Sequence, residues 1–86
     1  MAENHLIDLK VVVAGNPVIV RANLNASLHS VLSKALELSG NSGQPESNWE
    51  LKDVNGNPYD LSRKVGDFGF VNGSVLYLNQ RIGIGG

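Results

Sequence analysis

Cysteine is missing from the chain, and that absence excludes a disulfide framework, thiolate metal sites and any cysteine nucleophile. An excess of charge of one sign is missing too. Seven Lys and Arg against eight Asp and Glu leave a formal net charge of −1, which argues against electrostatic capture of nucleic acid or an anionic membrane, both of which need a basic surface. No apolar run approaches the roughly 20 residues needed to span a bilayer. Met1 to His5 lacks the charged-then-apolar layout of a secretion signal. The absence of cysteine does not identify a compartment, but a small disulfide-free fold suits a reducing one, and the cytoplasm is the expectation. There are no internal repeats, and low complexity is confined to a glycine-rich end. What is present suits one globular domain, since 86 residues with 42% hydrophobic and 17% charged side chains hold a single core.

Hydrophobic periodicity divides the chain. Ile7 to Val11 alternates apolar and charged residues, the period of a half-buried strand, and Val12 and Val13 extend it. Gly15-Asn16-Pro17 supplies turn chemistry, and Val18, Val20, Ala22 and Leu24 then alternate against Arg21 and Asn23, which predicts a hairpin. From Ser27 the period changes. Leu28, Val31, Leu32, Ala35 and Leu36 share one helical face, with the Ser27 hydroxyl placed to cap the first turn and Gly40 placed to close the last. Asn41 to Ser47 is a polar loop. Trp49 to Lys52 predicts a third strand, with Trp49 a packing residue that can lie partly exposed beside the last strand. Asn55-Gly56 predicts a tight turn with both residues at positive φ, leading into a stub of strand around Tyr59. Asp60 to Phe70 is irregular, Asn72-Gly73 marks a turn, and Val75 to Leu78 forms the last strand. The expected core is Leu9, Val11, Val18, Val20, Leu28, Val31, Leu51, Phe68, Leu76 and Leu78.

This order predicts an α+β fold with a four- to five-stranded mixed sheet packed on one helix. Ending in a strand and Gly85-Gly86, it resembles ubiquitin and its β-grasp relatives over nearly the whole chain, from Ile7 to Gly86. Val65-Gly66-Asp67-Phe68-Gly69-Phe70, followed by Gly73 to Leu78, is similar to the segment before ubiquitin's last strand. Ser27 stands where the family places a capping Thr, and Leu28, Val31 and Ala35 where it places core aliphatics. Small bacterial ubiquitin-like proteins with their own activating and conjugating enzymes are one home the resemblance allows. It implies residues 1–6 as a flexible lead, 7–79 as the domain and 80–86 as a flexible tail. Two departures stand out. Arg81 is similar to the family's enzyme-read Arg but lies one residue further from the terminal Gly-Gly, with uncharged Ile82-Gly83-Ile84 between. The positions of ubiquitin's aliphatic receptor patch look like Ala14 to Asn16, Lys52 and Asn79, which are mostly polar.

The resemblance implies a protein modifier, itself no enzyme, that an ATP- and magnesium-using activating enzyme takes up at the Gly86 carboxylate. A conjugating enzyme would pass it to target lysines, and a deconjugating peptidase would complete the set. The chain is expected to be a monomer with no metal or cofactor of its own. Arg81, Ile82 and Ile84 become the activating-enzyme recognition residues, and Gly85 and Gly86 the conjugation site. Physical reasons support a glycine end: without Cβ atoms it threads a narrow channel, and its free peptide groups pair with an enzyme's strand edge. A sulfur carrier bearing a C-terminal thiocarboxylate needs the same chemistry and stays open, as does a non-covalent adaptor whose glycines are incidental. Other readings are weaker. Gly83 to Gly86 lacks the following helix of a phosphate loop. His5 and His29 have no carboxylate or cysteine at ligand spacing. Asp53, Asp60 and Asp67 sit in turn-rich stretches where Asp ordinarily builds turns.

Overall fold

The structure, a computed structural model, describes residues 5–81. Strands β1 (Leu6–Val13) and β2 (Asn16–Asn23) form the expected hairpin, followed by helix α1 (Leu28–Leu38), β3 (Trp49–Lys52) and β4 (Val75–Gln80). The sheet order is β2-β1-β4-β3. The last strand is thus central, parallel to β1 with Val11 opposite Leu76 and Val13 opposite Leu78, and antiparallel to β3 with Leu51 opposite Leu78. The expected stub near Tyr59 is reduced to one bridge between Lys52 and Pro58.

The period-2 pattern places Leu9, Val11 and Val13 of β1 beside Val20 and Ala22 of β2 and Leu76 and Leu78 of β4, all buried under the α1 stripe of Leu28, Val31, Leu32, Ala35 and Leu36. Val18 and Phe68 are corrections to the expected core: both are only partly buried and pack at its margin. Val65 and Trp49 are buried instead, at 0% and 2% exposure. Trp49 is therefore fully interior rather than partly exposed, and its indole Nε1 has no hydrogen-bond partner. Tyr59, Phe68 and Phe70 form an aromatic cluster at the rim, with ring centroids 5.3–5.5 Å apart.

Three local expectations need correction. The hairpin turns at Ala14-Gly15, with φ of +48° and +88°, so Asn16 and Pro17 already belong to β2. Pro17 fits there because β2 is an edge strand. Val13 and Asn16 close the two-residue loop, which turns the backbone nitrogen of the next pair, Val12 and Pro17, away from β1. At the other hairpin only Gly56 has positive φ. Gly56 donates its N–H to the Asp53 carbonyl and Asp53 donates its own to Asn57, a three-residue loop with the glycine in the left-handed position. Ser27 occupies the N-cap without a side-chain capping bond. The first helical N–H groups are satisfied from a distance: Leu28 donates to the Arg63 carbonyl at 2.8 Å and His29 to that of Leu61 at 3.0 Å. At the other end the expectation holds. Gly40 at φ +81° lets Asn41 donate to Leu36 at 2.7 Å and Gly40 to Glu37 at 3.2 Å, the paired bonds of a Schellman end.

Candidate functional site

The chemistry expected of the chain lies where β4 ends. Gly85, Gly86, Ile82 and Ile84 lie outside the described residues, as do the outer parts of the lead and the tail. Arg81 is the one candidate that can be placed, and it is held on three sides. It donates its backbone N–H to the Asn48 carbonyl at 2.8 Å, its Nε–H to the Ser47 carbonyl at 2.8 Å, and Nη1 to Glu50 Oε2 at 3.2 Å. Glu50 is shared, because its other oxygen lies 3.1 Å from Lys52 Nζ. One residue earlier, Gln80 donates Nε2–H to Gln44 at 2.6 Å.

Strand pairing explains the cluster. Glu50 stands opposite Asn79, and alternation puts Asn79 and Arg81 on the same outer face of the sheet. Arg81 is thus the diagonal neighbour of Glu50, within reach of a long side chain. With side-chain exposures of 46% and 24%, the ion pair alone is worth at most about 1 kcal/mol. The two backbone carbonyls add geometric restraint that a free pair lacks. Sequence reasoning missed Glu50, Ser47 and Gln44. The pairing register would have exposed them, and nothing in the local pattern gives that register.

Of the positions expected to replace the aliphatic patch, Lys52 and Asn79 line one hollow and Ala14 to Asn16 do not. Lys52, Tyr77 and Asn79, with Asp53, Val54 and Gly56 of the adjoining loop, line an open hollow of about 400 Å³. Lys52 and Asn79 make it polar, while Tyr77 and Val54 give it an apolar component that a reading of Lys52 and Asn79 alone overlooks. Val54 is 75% exposed.

Several titratable groups elsewhere support local structure. The Asp53 carboxylate accepts the N–H groups of Asn55 at 2.8 Å and Asn57 at 2.9 Å. Those bonds, that of Asn57 foremost, hold its pKa below the ordinary 3.8. Asp60 accepts the Ser62 hydroxyl at 2.6 Å and its N–H at 3.0 Å, and is lowered likewise. The Arg63 guanidinium lies 3.6 Å from Asp67. Burial raises the Tyr59 hydroxyl above its ordinary value, with the Asp53 charge adding to it. His29 does have a carboxylate neighbour, Glu46 at 2.8 Å, from the loop beyond the helix. Among the described residues no three His, Asp or Glu side chains gather as metal ligands, and no helix is long and apolar enough to cross a membrane.

Residues 2–86 match the family described as Protein of Unknown function (DUF2604). Over 80 residues the chain is 48% identical to "Uncharacterized protein y4jI" of Sinorhizobium fredii, a match covering 93% of this chain and 62% of that protein. It therefore spans less than two thirds of that relative's length. Among solved structures, "Caldiarchaeum Subterraneum Ubiquitin" superposes with a TM-score of 0.74 at 21% identity, covering 94% of this chain and 99% of that one. A de novo protein designed on the basis of ubiquitin gives a TM-score of 0.76 at 16% identity, covering 98% and 99%. Identities this low speak for the fold alone, and the fold is the ubiquitin-like β-grasp.

Proposed function

The chain belongs to the DUF2604 family and folds as ubiquitin does, and from that premise we propose that it is a ubiquitin-like protein modifier, activated at the Gly86 carboxylate. The observation carrying the reading is the conjunction of the β-grasp fold with a sequence that places Gly85 and Gly86 five and six residues after the last β4 residue, Gln80. Activation starts with attack of the carboxylate on the α-phosphorus of ATP, giving an acyl adenylate and releasing pyrophosphate. A thiolate of the activating enzyme then displaces AMP to form a thioester. A thiolate of the conjugating enzyme displaces that thiol in turn, and a target lysine amine finally displaces the second thiol, leaving an isopeptide bond. The chain supplies only the electrophile.

ATP and magnesium belong to the activating enzyme on this reading. Arg81, Ile82 and Ile84 set how the tail meets it, whether by contact or by position, a conjugating enzyme and a deconjugating peptidase act later, and the chain works as a cytoplasmic monomer without nucleic-acid or membrane partners. The uncharged Ile82-Gly83-Ile84 calls for a less acidic groove than a tail with a second arginine would. Polar Lys52 and Asn79 disfavour receptors built for an aliphatic patch.

Intact mass spectrometry of the chain recovered from the cells it comes from tests the proposal. The expected result is a population joined to lysines of other proteins through residue 86. A sulfur-for-oxygen gain on the free chain would replace the modifier with a sulfur carrier. The unmodified mass alone, with the chain non-covalently bound to other proteins, would leave the adaptor.

A further inference from the structure

In the resemblance to ubiquitin, Arg81 is a charge for the activating enzyme to read, yet its guanidinium is turned back onto its own domain. The Nε edge is spent on the Ser47 carbonyl and Nη1 on Glu50, while the Arg81 N–H continues the β3–β4 ladder by one bond to Asn48. Glu50 is itself bracketed, with Lys52 on one oxygen and Arg81 on the other. We infer that Glu50 is a positioning residue for the tail: together with the carbonyls of Ser47 and Asn48 it pins Arg81 to the edge strand β3, so that Arg81 works inside the domain to fix where and in which direction the following residues leave the sheet.

The inference rests on the modifier reading for its functional consequence. On that reading the five residues from 82 to 86 carry the carboxylate at most about 17 Å from Arg81. Over so short a reach the departure direction decides which presentations of the domain bring the carboxylate to the adenylation site, and pre-setting it spares ordering cost on docking. Direct reading of Arg81 makes the opposite demand. An acidic enzyme groove would compete with Glu50 for the guanidinium, and removing Glu50 would help.

Glu50→Ala and Glu50→Gln therefore separate the two ideas by sign. Amide hydrogen exchange followed by NMR should show the Arg81 N–H exchanging roughly two- to fivefold faster in both variants, the range of an exposed ion pair. The β1 amides should be unchanged, which shows that the fold is intact. In cells the variants should give fewer conjugates relative to free chain, by a similar factor. Arg81→Glu alone should lose more, since it sets two carboxylates together, and the charge-exchanged pair Glu50→Lys with Arg81→Glu should regain most of that loss. Unaltered Arg81 exchange in the Glu50 variants overturns the inference. So does increased conjugation by either variant, or a charge-exchanged pair no better than Arg81→Glu. Failure of the wild-type chain to form any conjugate would instead remove the modifier reading, and failure to form a thiocarboxylate as well would remove the sulfur carrier with it. The exchange measurement needs no enzyme and still decides whether Glu50 pins Arg81.

Discussion

Val31→Asp puts a carboxyl into the middle of the contact between helix and sheet. Val31 is 1% exposed and lies in the stripe that covers β1, β2 and β4. Losing a buried valine forfeits about 1.5–3 kcal/mol, and an unpaired carboxyl in that environment costs a further ~2–7 kcal/mol. The total, about 4–10 kcal/mol, compares with roughly 4–13 kcal/mol of stability for a domain of this length. The variant should be unfolded or barely folded at neutral pH. Burial would raise the pKa of the new carboxyl, so its neutral form is the one the fold tolerates. The deficit should be smallest below about pH 4, the ordinary value of an unfolded Asp, and deepen as pH rises from there toward the raised folded-state value. The same change at Leu38, on the same helix but 49% exposed, should cost at most about 1–2 kcal/mol, including an unfavourable charge at the helix C-terminus. Far-UV circular dichroism during thermal and urea unfolding, at pH 4 and pH 7, measures all of this. A cooperatively melting Val31→Asp protein within 2 kcal/mol of wild type at pH 7 would show that the helix face has been assigned wrongly.

Function should separate from fold at the other end of the chain. Deleting Gly86 should leave the melting temperature unchanged, because the core residues lie between Leu9 and Leu78, yet abolish the reductant-sensitive adduct with the activating enzyme, ATP and magnesium. An undiminished adduct would rule out the modifier and the sulfur carrier together. Ala14 holds φ at +48°, where asparagine is far better tolerated, so Ala14→Asn should stabilise by some tenths of a kcal/mol, about 2–5 °C in melting temperature. No gain in a calorimetric scan would place that turn elsewhere. Asp53→Ala removes a carboxylate that backbone N–H groups hold below 3.8. Its stabilisation is present above that value and fades as pH falls through the lowered one, so the wild-type advantage in melting temperature should shrink in acid, and a pH-independent gap would contradict the assignment. Trp49→Phe removes an indole N–H that has no partner. The relief of that buried donor should offset much of the lost packing, giving a net cost below about 2 kcal/mol by urea titration.

Much of this protein is written in its local pattern. Alternation in Ile7 to Val13 and in Val18 to Leu24 already gives a hairpin, and the spacing of Leu28, Val31, Leu32, Ala35 and Leu36 gives a helix with one buried stripe. Both periods follow from backbone geometry alone: side chains alternate across a strand and recur every 3.6 residues around a helix. Gly40 at the helix end is equally local, since glycine takes a left-handed conformation at little cost. The glycine end of the chain, and with it the chemistry we propose, is also sequence information. Tertiary structure decided the rest. The helix start is capped by Leu61 and Arg63, more than thirty residues away, and the Ser27 side chain makes no capping bond. Trp49 is interior because pairing of β3 with the central β4 sets the face that carries Trp49 and Leu51 into the core, and no period encodes that strand order. The same register turns Glu50 from an ordinary strand charge into the partner of Arg81. Partners 31 residues apart in sequence meet only once β3 and β4 have paired. Local propensity acts over a few residues, whereas register is settled by burying every strand's apolar face at once.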